Sequence, residues 1–444
     1  MFSTEELAEI TSAKTIINKT KKGQKFGIST DTRLIKQDEI YLPLKGLSFD
    51  GENFIDNGNL KMYFTAKDRI DQNAELVLKV ENTLGAYLNI AKYYRQKINP
   101  ITIAITGSSG KTTTKEIMSA VLSQKFKTHK TFSNYNNEIG FCRTVLDMPQ
   151  DTQVLIVEIG MRGLGEIELI SRHLIADIAV ITNSGSAHIG LLGSLDNIAI
   201  AKCEIISGLK PDGTFIALNQ AIIKKHMNFG GERIFYSLED VEIIEKTQSY
   251  SKFRYKNEIY KLNAQGDYNI VNSLAAIETG LKLNMTPDEI RQGLASYHTI
   301  EKRWELEKIQ GCIFINDSYN ANPESMKASV KTFVELYKNP LVILGNMGEL
   351  GEKEVLYHKQ VGEFLADCCK GKNVKFLTVG DLAKETGFEL KNNGFEVLSF
   401  NNNEQASCYI LDNLNKSYTI FLKASRSMKF EQILENVKRG ICKL

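Results

Sequence analysis

Ile101–Lys115 reads ITIAITGSSGKTTTK, and this stretch decides the fold. Ile101, Ile103 and Ile105, with Ala104 among them, predict a buried strand, and from Thr112 onward Lys115, Ile117, Met118, Val121 and Leu122 follow the rhythm of a helix. The turn between them comprises Gly107, Ser108, Ser109, Gly110, Lys111, Thr112 and Thr113. It falls at a helix N-terminus, where backbone N–H groups lack intrahelical partners and the dipole is positive, so it suits phosphate oxygens. Lys111 supplies a cation for the outer phosphates, and the Thr112 hydroxyl supplies a ligand for their Mg2+. The spacing is G-x-x-G-K-T-T: the glycine that opens a usual P-loop would fall at Ile105, inside the strand. An ordinary turn with a surface lysine is the plainer reading; the order strand, turn, Lys-Thr pair, helix favours nucleotide binding.

Around this stretch, residues 98–300 alternate strand and helix, which predicts a central, largely parallel sheet covered by helices. VLIVEIG at 154–160 carries Glu158, and IAVITN at 178–183 leads into NSGSAHIG with His188. Ligands of open parallel sheets sit beyond the carboxyl ends of the strands, so these residues can converge on one crevice. A carboxylate closing an apolar strand is costly unless it is paired or binds metal, which favours a role for Glu158. Alone, His188 reads as a satisfied loop histidine, and Lys202, on the helix that Ser194 begins, as a solvated side chain. Asn269 and Asn272 share a face at the start of a helix near Asp267, where capping is the plainer role.

Residues 1–97 read as a small α+β domain that opens with a helix capped by Ser3 and Glu6. The turn STDTR at 29–33, the strand-like EIYLPLKG and the loop LSFDGENF at 47–54 follow, and alone they name no function. Residues 301–444 resume the alternation as a smaller α/β domain with a Rossmann-like look. Its Gly345, Gly348 and Gly351 lack the G-x-G-x-x-G spacing, so no dinucleotide is assigned.

At 444 residues, three domains fit a prior of roughly 150 residues each. A net charge of +2, with no basic stripes interleaved with aromatics, gives no reason to expect nucleic acid or an anionic membrane as partner. The seven cysteines are odd in number, scattered and without C-x-x-C spacing, so neither a disulfide framework nor a zinc site is expected. No apolar run approaches a membrane span, and the N-terminus lacks a signal-peptide core. A cytoplasmic, soluble, monomeric protein is expected.

The strings TGSSGKTTTKE, SNYNNEIG, VEIGMRGLGEIELI, NSGSAHIG, AKCEI, GDYNIVN and DSYNANPESM occur here in the order found in the Mur ligases, which this chain resembles over nearly its whole length. DSYNANPESM, with STDTR, LPLKG and FDGENF, is most similar to the branch that adds D-alanyl-D-alanine. The resemblance implies three domains: one for UDP-MurNAc-tripeptide, one for ATP, and a third that closes over both. It implies an ATP-driven amide ligation through an acyl phosphate, giving the UDP-MurNAc-pentapeptide precursor of peptidoglycan. Thr112 and Glu158 then match a first Mg2+ site, His188 a second, and Lys202 a lysine carbamoylated by CO2. Asn272 matches an adenine contact, Arg303 a phosphate contact after closure, and Asp317 a ribose contact. Asn136, Asn137 and Glu138, with Ser29, Thr30 and Arg33 in the first domain, match positions near the UDP substrate. Another amide ligase of this superfamily, with a different carboxylate and amine, is the nearest alternative, and a regulatory P-loop ATPase a more distant one.

Overall fold

The computed structural model describes residues 1–46, 48–57, 60–68, 70–413 and 417–442. Leu47, the first residue of the LSFDGENF loop, lies outside the described residues. Three α/β bodies follow one another along the chain, each organised on its own principal sheet.

The first body opens with helix Thr4–Thr11, whose start is fixed by a reciprocal cap: Glu6 N–H donates to Ser3 Oγ at 3.2 Å and Ser3 N–H to Glu6 Oε2 at 2.8 Å. Its sheet runs in the order Lys14–Asn18, Leu76–Lys79, Met62–Thr65, Glu39–Tyr41, Gly27–Ser29, with only the first pair antiparallel. Helix Thr83–Ile98 leaves this sheet and ends on Asn99, which takes a left-handed conformation before Pro100. On the way it crosses to the second body, where the Tyr94 hydroxyl donates to Met148 O at 3.0 Å.

The second body holds six parallel strands in the order Glu232–Tyr236, Leu209–Leu218, Ala176–Ile181, Ile101–Thr106, Val154–Glu158, Thr128–Lys130. Ile101–Thr106 is thus an inner strand. Ile103 and Ile105 pack with Ile117 and Val121 of helix Lys111–Leu122, whereas Ala104 faces the opposite layer with Leu155 and Val157. Burial on both faces explains why Ile103, Ala104 and Ile105 follow one another without a polar residue, where a half-exposed strand would alternate. The sequence reading missed a three-stranded antiparallel sheet, Glu242–Lys246, Ser251–Tyr255 and Glu258–Leu262. Its signal was a period of two: Phe253, Tyr255, Tyr260 and Leu262 are buried while the residues between them carry charge or lie partly exposed.

The third body has the order Glu305–Ile309, Cys312–Asn316, Thr419–Lys423, Pro340–Gly345, Lys375–Val379, Glu396–Phe400. Five strands are parallel, and the first is an antiparallel edge joined by a two-residue turn in which Gln310 and Gly311 both take positive φ.

One expectation about the cysteines is corrected. Cys408 and Cys442 form a disulfide across 34 residues, while Cys142, Cys203, Cys368 and Cys369 are free thiols. Helix Glu431–Arg439 packs along helix Asn403–Asp412 and returns the C-terminal tail to Cys408, a proximity that no local spacing encodes. Closing such a loop constrains the unfolded chain by about 3 to 4 kcal/mol in the chain-entropy account. Reduction with dithiothreitol is therefore expected to lower the melting temperature of the oxidised protein by several degrees; an unchanged melting curve, with thiol titration showing full reduction, would show that the link adds no stability.

Candidate active site

The crevice lies at the carboxyl ends of the central strands, and its first wall is the glycine turn. Gly110 takes φ 79°, and a Cβ there would stand 2.4 Å from Asn272 Oδ1; at Gly107 it would stand 1.9 Å from Thr182 Oγ1. Only glycine fits either place. Helix Lys111–Leu122 starts without a side-chain cap, so its first amides are left for an anion. Asn183 braces the turn: its Oδ1 accepts from Ser109 N–H at 3.0 Å, and its backbone O accepts from Ser108 N–H at 3.0 Å. Lys111 folds back over the turn, donating from Nζ to Gly107 O at 2.7 Å. Burial pushes its pKa below the ordinary lysine value, against the pull of Glu158.

Glu158 forms the floor, 2 % exposed. Its Oε1 accepts from the Thr112 hydroxyl at 3.2 Å and from Asn136 Nδ2 at 2.9 Å, and its Oε2 lies 3.5 Å from Lys115 Nζ. The facing wall comes from the third body. Arg303 Nη2 donates to Thr112 Oγ1 at 3.1 Å, and its guanidinium lies over the Tyr319 ring, 4.3 Å from the centroid. Glu324 accepts from Ser186 N–H at 2.9 Å and from Ser186 Oγ–H at 3.0 Å, pressed so close that Gly185 has no room for a Cβ. Glu349 O accepts from Gly190 N–H at 3.0 Å, and Glu349 Oε2 lies 2.5 Å from His188 Nδ1. The neighbouring imidazole holds the Glu349 carboxyl below the usual range, helped by Arg162 and Lys111.

These elements enclose a cleft of about 1840 Å³. Of the residues singled out from sequence, 108–113, 136–138, Glu158, His188, Asn272, Arg303 and Asp317 line it. Asp317 is held by Lys423, whose Nζ donates to its Oδ2 at 2.7 Å. Ser29, Thr30 and Arg33 do not line the cleft; they build a local turn in which Asp31 accepts from Arg33 Nη2 at 2.6 Å. The Arg33 hydrogen bond lowers the Asp31 carboxyl to about 2. The first body reaches the cleft through Lys45, Gly46 and Leu84 instead.

Lys202 lies behind the wall, wholly buried, its Nζ without a hydrogen-bond partner. Burial drives its pKa well below the lysine value, and the charge of Lys111 pushes the same way. A buried neutral amine is a nucleophile toward CO2, and an orphaned polar atom is what an added carboxylate would satisfy.

Among the described residues no group of three or more His, Cys, Asp or Glu side chains forms a metal cage. A carboxylate with one oxygen beside a threonine hydroxyl is instead the donor set of a Mg2+ ion that takes its other ligands from phosphate and water.

Comparison with known proteins gives the family. The Mur ligase middle domain matches residues 105–280, and the glutamate ligase domain of Mur ligases matches 302–426. The UDP-N-acetylmuramoyl-tripeptide--D-alanyl-D-alanine ligase of Bacillus subtilis is 36% identical over 93% of each chain. The chain belongs to the Mur ligase family. The Synechocystis ligase of the same name is 34% identical, covering 90% of this chain and 89% of its own. The crystal structure of MurF from Acinetobacter baumannii superposes on this Mur ligase with a TM-score of 0.90 at 26% identity, covering 99% of both chains. Two residues of the Mur ligase cleft, Asn183 and Glu349, and one beneath its floor, Lys115, carry no signal of their own in the sequence. Lys115 falls within the apolar rhythm of its helix, Asn183 ends a strand string without a motif, and Glu349 lies between Gly348 and Gly351, whose spacing fits no dinucleotide fingerprint.

Proposed function

We infer that this Mur ligase joins D-alanyl-D-alanine to the terminal carboxylate of UDP-MurNAc-tripeptide, with hydrolysis of ATP to ADP and phosphate. The observation that carries this reading is the Arg303–Thr112 bond of 3.1 Å, which brings a cation of the third body onto the phosphate loop of the second. The D-alanyl-D-alanine ligases of Bacillus subtilis and Synechocystis supply the substrate classes.

The chemistry brings a polyanion to a carboxylate, so positive charge and alignment are what the protein must provide. The amides of residues 108–113 and the Lys111 ammonium hold the phosphates, and Arg303 adds a second cation from the opposite side. Thr112 and Glu158 would hold Mg2+ and His188 a second ion, and Mg2+ bound there would supply positive charge to offset that of the phosphates. Lys202, if carbamoylated by CO2, would present an anionic group in place of its buried amine. Asn272 borders adenine and Asp317 the ribose. Asn136, Asn137 and Glu138 face the UDP-muramoyl substrate, with Ser29, Thr30 and Arg33 at its distant end.

In the first step a carboxylate oxygen attacks the γ-phosphorus and the bond to ADP breaks. In the second, the amine attacks the acyl carbon, phosphate leaves, and the nitrogen gives up a proton. Phosphate release is expected only when UDP-MurNAc-tripeptide, D-alanyl-D-alanine, ATP and Mg2+ are all present. Release that follows a free amino acid and ignores the dipeptide would assign a different amide ligase, and stimulation by DNA or RNA without an acceptor amine would assign a regulatory ATPase.

A further inference from the structure

Lys115 has no part in the chemistry above, yet its side chain is wholly shut from solvent beside the Glu158 carboxylate. It sits one turn beyond Lys111 on the same helix, and the two lysines go different ways: Lys111 into the cleft, Lys115 beneath it. Its Nζ lies 3.5 Å from Glu158 Oε2 and 3.4 Å from Glu116 Oε1, and donates to Ser133 O at 3.3 Å. Glu116 is paired in turn with Lys130. Two cations and two carboxylates therefore balance under the floor of the site.

Burying such a set costs desolvation that an apolar cluster of equal volume would avoid, so neutralisation alone is a weak reason for it. What the lysine adds is direction. Oε1 is turned toward Thr112 and Asn136 at the cleft, while Oε2, which accepts no hydrogen bond, is held by charge alone 3.5 Å from the buried ammonium. The carboxylate thus has one oxygen to offer. Mg2+ is small, demands near-octahedral geometry and is served by single carboxylate oxygens, whereas Ca2+ is larger and gains from carboxylates that bind through both.

We propose that Lys115 is a positioning residue that selects the divalent cation of the nucleotide site, holding Glu158 to one-oxygen binding and so favouring Mg2+ over Ca2+. The proposal rests on Glu158 being a ligand of that cation.

The test is calorimetric titration of the ADP-bound protein with Mg2+ and, separately, with Ca2+. In Lys115→Met the ratio of Ca2+ to Mg2+ affinity should rise about tenfold, while ADP affinity without a divalent ion stays within about twofold. An unchanged ratio, or equal weakening toward both ions, would make Lys115 a charge neutraliser and nothing more. Should Lys115→Met fail to fold, the charge-balanced pair Lys115→Met with Glu116→Gln carries the same expectation. Glu158→Gln separates the two layers of inference: if that variant keeps its divalent affinity, Glu158 is not a ligand and the metal assignment itself fails.

Discussion

Lys202→Ala is expected to cut ligation about a thousandfold, the scale on which a preorganised charge acts in a water-poor site. The reason lies in the orphaned Nζ. A wholly buried lysine without a hydrogen-bond partner, its pKa driven well down, is poorly suited to be a structural cation. In the proposed reaction its amine attacks CO2, forming an N–C bond, losing a proton and ending in a carboxylate. Alanine removes the nitrogen, so bicarbonate should leave the variant inactive, whereas a small carboxylic acid such as acetate can enter the vacated space and restore part of the rate. Phosphate release with and without these additives is the measurement. Full activity of the variant, or rescue by bicarbonate, would remove the carbamate from the mechanism.

Lys111→Ala is expected to lower acyl-phosphate formation by a similar factor, about 4 kcal/mol of transition-state stabilisation at 1.36 kcal/mol per tenfold. In the structure this ammonium is folded onto Gly107 O at the mouth of the uncapped helix. In the proposed reaction it is the second body's cation for the transferring phosphate, and Arg303, which reaches Thr112 from the third body, is not expected to replace it. Affinity for UDP-MurNAc-tripeptide should stay within about twofold, because Lys111 belongs to the phosphate loop and uniform binding of the other substrate is untouched. Trapping the acyl phosphate with hydroxylamine measures the first quantity and equilibrium binding the second. Unchanged hydroxamate formation would refute the placement of the phosphates.

What could be read from the chain was whatever local spacing encodes. The turn of 107–113 stands out because strand, glycines, Lys-Thr pair and helix are contiguous, Glu158 because it closes an apolar strand, and His188 because it lies in the loop that follows another strand of the same parallel sheet. The mismatch at Ile105 proved compatible with a loop in which Gly107 and Gly110 alone make the close approaches. Lys115 stayed hidden because a buried ammonium occupies a helix position that apolar periodicity predicts. Contacts between bodies, such as Ser186 with Glu324, join residues 138 apart and leave no trace in either neighbourhood. The same holds for Cys408 and Cys442, whose pairing depends on two helices lying side by side.

The loop at 183–190 is fastened on both sides. Ser108 Oγ accepts from Gly185 N–H at 2.9 Å on the nucleotide side, while Glu324 and Glu349 grip Ser186 and Gly190 from the third body. Gly190 and Gly351 meet so closely that a Cβ on Gly190 would fall 2.4 Å from Gly351 N. The third body therefore rests on the same loop that braces the glycine turn through Ser108. Under the proposed reaction, product release is expected to require unfastening that seam, and a compound that wedges the two glycines apart is expected to slow turnover without touching either substrate pocket.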